Sequence, residues 1–355
     1  MKKNILALGA DIKNRFLVAQ GKNIYFGPDI GNLSDAKNYE LFKRKIHELV
    51  KDIRLDIIVH DLHPAYFSTR FAKEYSLHSK TRCIYAAQHH KSHIGSVIQE
   101  SRLEKPVIGV ALDGTGFGED GRIWGGEFFI VDKKRFTRIA HLKYQMMPGG
   151  EKVIYEPWRM VLSVLKDKAI PILNRNVKKE DIDLVSIMME KGINSPLTSS
   201  AGRLFDAAGA LIAKCLYASY EAEGPIKLEK ICDTSIADCY EFDIEREKGR
   251  YIINPKKIFS GIIRDLKRKV PKGVIASRFH NSMAEIVVKV VAMVSKEAFI
   301  EDVVLSGGVF QNRFLTARII KKFLPMGFNV YINRKYPVND LNISLGQYWM
   351  VKNRR

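Results

Sequence analysis

Apolar residues along the chain fall into short runs that stop at charged or glycine-containing breaks. Residues 4–10 are one such run, ending at Asp11, and 15–20 and 23–26 follow across a turn at Gly21. Runs bounded in this way read as strands, here a three-stranded ladder. Leu41, Phe42, Ile46, Leu49 and Val50 then recur at helical spacing and predict an amphipathic helix over 39–53. A buried strand over 56–59, a loop over 60–64, a helix over 66–75 and a strand over 83–87 complete an α/β layer. The same series then begins again. Strands are predicted at 107–112, 124–131 and 136–142, and a helix at 156–165. Far downstream come a helix at 277–299, a strand at 303–305, a helix at 314–324, a strand at 329–332 and a helix at 343–351. One element order used twice predicts a duplicated, two-lobed α/β fold with a ligand cleft between the lobes. The lobes divide as residues 1–98 and 99–355, with 166–275 a mostly helical insertion in the second.

Composition narrows the class without fixing it. With 46% hydrophobic and 27% charged residues, the 355-residue chain reads as a globular protein. No apolar run reaches the roughly 18 residues of a membrane span. The start Met1-Lys2-Lys3 resembles a signal peptide, but Asp11 and Lys13 interrupt its apolar stretch, so a cytoplasmic protein without a membrane partner is expected. Cys83, Cys215, Cys232 and Cys239 have neither metal-ribbon nor disulfide-framework spacing. The net charge of +19 raises nucleic acid as a partner, with basic runs at 133–138, 256–272 and 352–355. None of these runs is interleaved with aromatics, so a basic surface that tolerates an anionic ligand is the preferred reading.

Four stretches carry candidate chemistry. Asp113-Gly114-Thr115-Gly116-Phe117-Gly118 and the following Gly121, Gly125 and Gly126 make a hairpin with far more glycine than a turn requires, suited to a phosphate and its cation against bare backbone. Six of the nine histidines lie between His60 and His93. In Gln88-His89-His90-Lys91-Ser92-His93, His89 and His93 share one helix face; the spacing alone reads first as two helix-start histidines bonded to backbone, and it also suits two ligands of a transition metal. His63 stands nearby as an acid/base or as a support for such ligands. Ser199-Ser200-Ala201-Gly202-Arg203-Leu204-Phe205-Asp206 is a capped helix start, where backbone N–H groups and Arg203 suit an anion. Ser306-Gly307-Gly308-Val309-Phe310-Gln311-Asn312 turns from strand to helix as nucleotide loops do, and Asp340 precedes the last helix as a further carboxylate.

Together these segments resemble the C-terminal carbamoyltransferase domain of the HypF hydrogenase-maturation family. The matching stretches are Ala7-Leu8-Gly9-Ala10-Asp11-Ile12-Lys13-Asn14, His60-Asp61-Leu62-His63-Pro64, Gln88-His89-His90, Leu112-Asp113-Gly114-Thr115-Gly116, Trp124-Gly125-Gly126-Glu127, Glu156-Pro157-Trp158-Arg159, the stretch from Ser199 to Asp206, Ser277-Arg278-Phe279-His280-Asn281, and Ser306 to Asn312. The family pattern Asn-Asp-Gly-Gly before the last helix is replaced here by Asn339-Asp340-Leu341-Asn342. The resemblance implies an actin/Hsp70-like (ASKHA) fold of duplicated RNase H-like subdomains, related to the tRNA-modifying enzyme TsaD. It implies a divalent iron or zinc ion at His89, His93 and Asp340. It also implies ATP, AMP or carbamoyl-adenylate, with Mg as a companion cation, among Asp11, Asp113, Gly114, Thr115, Gly202, Asp206, Gly307, Gly308 and Asn312. His63 and Arg203 are the candidate catalytic groups. The implied reaction moves a carbamoyl group from carbamoyl-adenylate to the C-terminal cysteine of a HypE-like acceptor protein. Full-length members carry the adenylate-forming domain ahead of this one, so a separate domain or protein is implied as supplier. A free-standing member and a piece of a longer chain both fit. A tRNA-modifying transferase, a small-molecule O-carbamoyltransferase and a non-enzymatic nucleotide-gated scaffold remain alternatives.

Overall fold

The structure, a computed structural model, describes residues 3–21, 23–79 and 81–352; Met1, Lys2 and the last three residues of the basic tail lie outside it. The first five strands are β1 (Asn4–Ala7), β2 (Leu17–Gln20), β3 (Asn23–Phe26), β4 (Ile57–Asp61) and β5 (Cys83–Ala87). They form a sheet in the order β3-β2-β1-β4-β5, an antiparallel ladder extended by two parallel strands. The helices of this part are α1 (Ala36–Val50), α2 (Phe67–His78) and α3 (His89–Ser101). α1 begins three residues earlier than its apolar spacing suggests, because the Asp35 carboxylate accepts from the N–H groups of Lys37 and Asn38.

The second sheet repeats the plan. Its strands are β6 (Val107–Phe117), β7 (Ile123–Asp132), β8 (Arg135–Leu142), β9 (Gln145–Met146), β10 (Leu197–Thr198), β11 (Asp243–Glu247), β12 (Arg250–Asn254), β13 (Asp302–Ser306) and β14 (Asn329–Ile332). The segment β8-β7-β6-β13-β14 has the order and directions of the first sheet, so the predicted duplication is present. The helices are α4 (Lys152–Tyr155), α5 (Trp158–Leu165), α6 (Ile170–Leu173), α7 (Lys179–Glu190), α8 (Ala201–Ile212), α9 (Glu223–Lys230), α10 (Lys256–Lys267), α11 (Lys272–Ala298), α12 (Arg313–Phe323) and α13 (Ile343–Val351). The insertion is mostly helical, but β12 pairs parallel to β8 and carries β11 with it, so this segment widens the sheet.

Side-chain alternation sorts the core into layers. Leu6, Leu8 and Ile58 face α1 and α2, whereas Ile5, Ala7, Ile57 and Val59 face α3 and α13 in the middle layer. From the other side that layer receives Val107, Ala111, Phe129 and Val304, while Ile108, Val110 and Leu112 face α5, α8 and α11. Both sheets are thus covered on both faces, as sheets containing parallel strands require. The middle layer is tight. A Cβ on Gly346 of α13 would lie 1.7 Å from the Ser92 carbonyl oxygen of α3, and one on Gly95 would meet the Trp349 ring at 2.9 Å. No helix among the described residues is long and apolar enough to cross a membrane.

Two local expectations change. His60 and Asp61 belong to β4 and not to the loop after it, because both pair with β5. β6 runs on to Phe117 where the sequence suggests a stop at Leu112. Between the pairs Leu112–Gly126 and Gly116–Trp124, Asp113, Gly114 and Thr115 stand opposite Gly125 alone. The glycine-rich stretch is therefore a bulged hairpin, and the bulge turns Asp113 out of the ladder.

Candidate metal centre and nucleotide cavity

α3 starts directly after β5, with Gln88 as its cap accepting from the Lys91 N–H. That start sets His89 and His93 on one buried face, with ring centroids 5.0 Å apart. The bulge brings Asp113 to this face, and the turn before α13 brings Asp340. Ligand atoms of His89, His93, Asp113 and Asp340 all lie within 4.8 Å of one another. His93 Nε2 is 3.1 Å from Asp113 Oδ2 and 3.5 Å from Asp340 Oδ1; for His89 Nε2 the distances are 3.3 and 3.7 Å. A tetrahedron of bonds near 2.05 Å has edges of about 3.3 Å, so these separations fit a Zn- or Fe-sized ion. His89 Nε2, fully buried, has no hydrogen-bond partner among the described residues, as expected of an atom held for a ligand.

The other ring nitrogens are fixed from behind. His89 Nδ1 meets Asp61 Oδ2 at 2.8 Å, and His93 Nδ1 meets Asn342 Oδ1 at 3.1 Å. Both partners accept, so each Nδ1 carries the proton and each Nε2 is free to ligate. Asp113 is held equally firmly: its Oδ1 accepts the Gly308 N–H at 2.9 Å, leaving Oδ2 for the histidines. Burial disfavours charge on every member, but mutual attraction outweighs it. Asp61, Asp340 and Asp113 hold His89 well above the usual histidine pKa, and Asp113 raises His93. The histidines in turn hold Asp113 and Asp340 below the usual carboxylate range. A divalent cation would thus take the place of two protons.

Asp113 and Asp340 also line a cavity of about 420 Å³, within the range of small-ligand sites. Gly114, Thr115, Gly202, Arg203, Asp206, Gly308 and Asn312, all singled out from sequence, line it too. α8 abuts the bulge: a Cβ on Gly202 would lie 2.9 Å from the Gly114 Cα, and the Ser200 hydroxyl, which caps α8, donates to the carbonyls of Asp113 and Gly114. Arg203 Nε lies 2.8 Å from Asp206 Oδ2, and both residues are buried. Burial lifts the Asp206 carboxyl to about 6, with Arg203 opposing and Glu221 adding to the rise.

Three sequence candidates stand elsewhere. Asp11 spends both oxygens on the N–H groups of Phe67 and Ser68, capping α2 from a distance. His63 stacks on Tyr66 at 4.2 Å beside Phe117 and does not line the cavity. Gly307, at φ 107°, packs under β6, where a Cβ would lie 2.4 Å from the Leu112 carbonyl oxygen. Sequence reasoning also missed members of the site. Asp113, read from sequence as a nucleotide residue, also stands with His89, His93 and Asp340 as a fourth potential donor. Lys13 and Glu221, paired at 3.3 Å, line the cavity, and no local pattern marks either.

Comparison with known proteins agrees along the chain. Residues 1–100 match the HypF Kae1-like domain, and 109–347 match the second subdomain of the Kae1-like carbamoyltransferase domain. The chain is 30% identical to carbamoyltransferase HypF2 of Cupriavidus necator, covering 99% of this chain and 47% of that protein. It is also 30% identical to a carbamoyltransferase HypF homolog of the same organism, covering 98% and 91%. The crystal structure of full-length HypF in its phosphate- and nucleotide-bound form superposes with TM-score 0.92 at 36% identity, over 99% of this chain and 56% of that one. HypF of T. kodakarensis gives TM-score 0.90 at 30% identity, over 99% and 48%. The chain thus spans about half the length of most of these relatives. On these matches, and on a duplicated two-lobed fold with a His/Asp metal-ligand group at its cleft, the chain belongs to the HypF carbamoyltransferase family as its Kae1-like domain.

Proposed function

We propose that this domain transfers a carbamoyl group from carbamoyl-adenylate to the C-terminal cysteine thiol of a HypE-like acceptor protein, releasing AMP and giving the precursor of the cyanide ligands of a [NiFe] centre. The observation that carries the reading is that Asp113 and Asp340 belong both to the metal-ligand group and to the wall of the nucleotide-sized cavity. The full-length HypF relative has a phosphate- and nucleotide-bound form, which supports a nucleotide as a ligand of this family. His89, His93, Asp113 and Asp340 would hold a divalent ion, which supplies Lewis-acid stabilisation of developing negative charge. In the transfer itself the acceptor sulfur bonds to the carbamoyl carbon, the bond from that carbon to the AMP phosphate oxygen breaks, and the thiol proton passes to water. The Gly308 N–H holds Asp113 in place, where a bound cation would join that carboxylate to the phosphate end. Arg203, whose Nη1 is buried without a hydrogen-bond partner among the described residues, offers donors to an anionic oxygen.

The test is to incubate the protein with carbamoyl-adenylate and either a HypE-like protein or tRNA, then weigh the acceptors. A HypE-like protein heavier by one carbamoyl group on its terminal cysteine is expected. Modified tRNA with unmodified protein would instead favour the TsaD-like alternative, for which the net charge of +19 is suited.

A further inference from the structure

A buried polar chain behind the cavity carries a role that neither the metal centre nor the transfer step uses. His280, on α11, is fully buried, with its ring set edge-on among Phe205, Phe279 and Phe314. Its Nδ1 lies 2.8 Å from the Ala276 carbonyl oxygen and 3.3 Å from Cys232 Sγ. The carbonyl can only accept, so Nδ1 carries the hydrogen. Nε2 is then a bare lone pair, and it lies 2.9 Å from the Asn312 side-chain nitrogen. The Asn312 oxygen is committed on its other side, accepting the Leu315 N–H at 2.8 Å as the cap of α12. Two independent contacts therefore orient the Asn312 amide the same way: oxygen toward the helix, nitrogen toward His280. An amide nitrogen has two hydrogens, and His280 takes one. Asn312 lines the cavity, next to the apolar Val309, whose carbonyl accepts the Asn312 backbone N–H.

We propose that His280 is a positioning residue that locks the Asn312 side chain so that the cavity is offered a hydrogen-bond donor, selecting an acceptor atom on the nucleoside part of the bound nucleotide. The protonation states keep the lock single-valued. Burial pushes the imidazole down to about 4 and the Cys232 thiol up to about 12, so both stay neutral around neutral pH and neither can reverse the direction of the chain. This inference rests on the nucleotide reading of the cavity.

The test is calorimetric titration of AMP into the full chain and three variants. His280→Leu removes the acceptor at Nε2. His280→Gln puts an amide oxygen where Nε2 stood. Asn312→Ser keeps the α12 cap but removes the amide donor. His280→Leu should weaken AMP binding roughly tenfold, the effect of one oriented hydrogen bond, while His280→Gln stays close to wild type. In the Asn312→Ser background, His280→Leu should cost nothing further. A folded His280→Leu that binds AMP normally, or a loss of equal size in both backgrounds, overturns the positioning role. Absence of AMP binding by the wild type overturns the nucleotide reading and this inference with it.

Discussion

Replacing Gly346 with alanine should disturb the metal-ligand group from a position that contributes no donor to it. A Cβ there would stand 1.7 Å from the Ser92 carbonyl oxygen, and Cβ contacts essentially never fall below 3.0 Å. α13 must therefore retreat from α3 by at least about 1.3 Å, since the obstacle is backbone and cannot rotate away. α3 carries His89 and His93, while the turn leading into α13 carries Asp340 and Asn342. Opened along its own line by that amount, the 3.1 Å bond from His93 Nδ1 to Asn342 passes beyond hydrogen-bond range. Overpacking of this kind costs about 1–3 kcal/mol of stability. Loss of a partner behind a ligand lowers metal affinity about 10–100-fold. Metal per chain, measured by elemental analysis after equilibration against a chelator, should fall together with the melting temperature. Gly95→Ala is the internal comparison: its closest obstacle is the Trp349 side chain at 2.9 Å, which can tilt, so its losses should be smaller. A Gly346→Ala protein with wild-type melting temperature and wild-type metal content would refute the reasoning.

Other expectations follow from single contacts. Asp113→Asn removes a charge that faces both histidines, and retained metal should fall at least about tenfold in a protein that still melts cooperatively. Arg138 and Glu127 are buried and bonded at 2.6 Å; Arg138→Met strands the carboxylate and should cost about 3–5 kcal/mol in urea unfolding, with Arg138→Met/Glu127→Gln recovering much of it. His280 should make stability fall on acidification. Its folded pKa of about 4 lies below the unfolded value near 6.5, so the unfolded chain takes the proton first and the loss builds between those values to about 3 kcal/mol. The difference in stability between wild type and His280→Gln, followed from pH 8 to pH 4, should show this slope. Asp206, lifted to about 6, contributes the opposite slope in both proteins and cancels in the difference. A flat difference would refute it.

How much of this was legible in the sequence depended on the range of the interaction. Elements whose cues are local stand where the pattern puts them: the strands Cys83–Ala87 and Asn329–Ile332 and the helix Ile343–Val351 have the predicted limits. β6 did not, because glycines that look like a loop are strand residues thinned to let α8 and α3 approach; a Cβ on Gly116 would meet His89 and His90 below 3 Å. β11 and β12 were hidden inside a helical stretch, since β12 is a strand by virtue of β8, more than a hundred residues upstream. At the site, His89 and His93 announce themselves by spacing. Asp61 and Asn342, which fix the tautomers of those rings, carry no local mark, and neither does the pairing of Lys13 with Glu221.

α13 has a consequence for how the protein comes into being. Leu345, Tyr348, Trp349, Met350 and Val351 pack in one layer with Ile5, Ala7, Leu17 and Ala19. During synthesis that face of the first sheet is covered in part by α3 and stays open on the α13 side until residues 343–351 have been made. Asp340 is made immediately before α13. A nascent chain thus carries His89 and His93 through the synthesis of everything between α3 and α13 before Asp340 can join them. Assembly of the candidate ligand group and closure of the middle layer therefore wait on the same residues, and until they arrive the uncovered part of that face is exposed to aggregation.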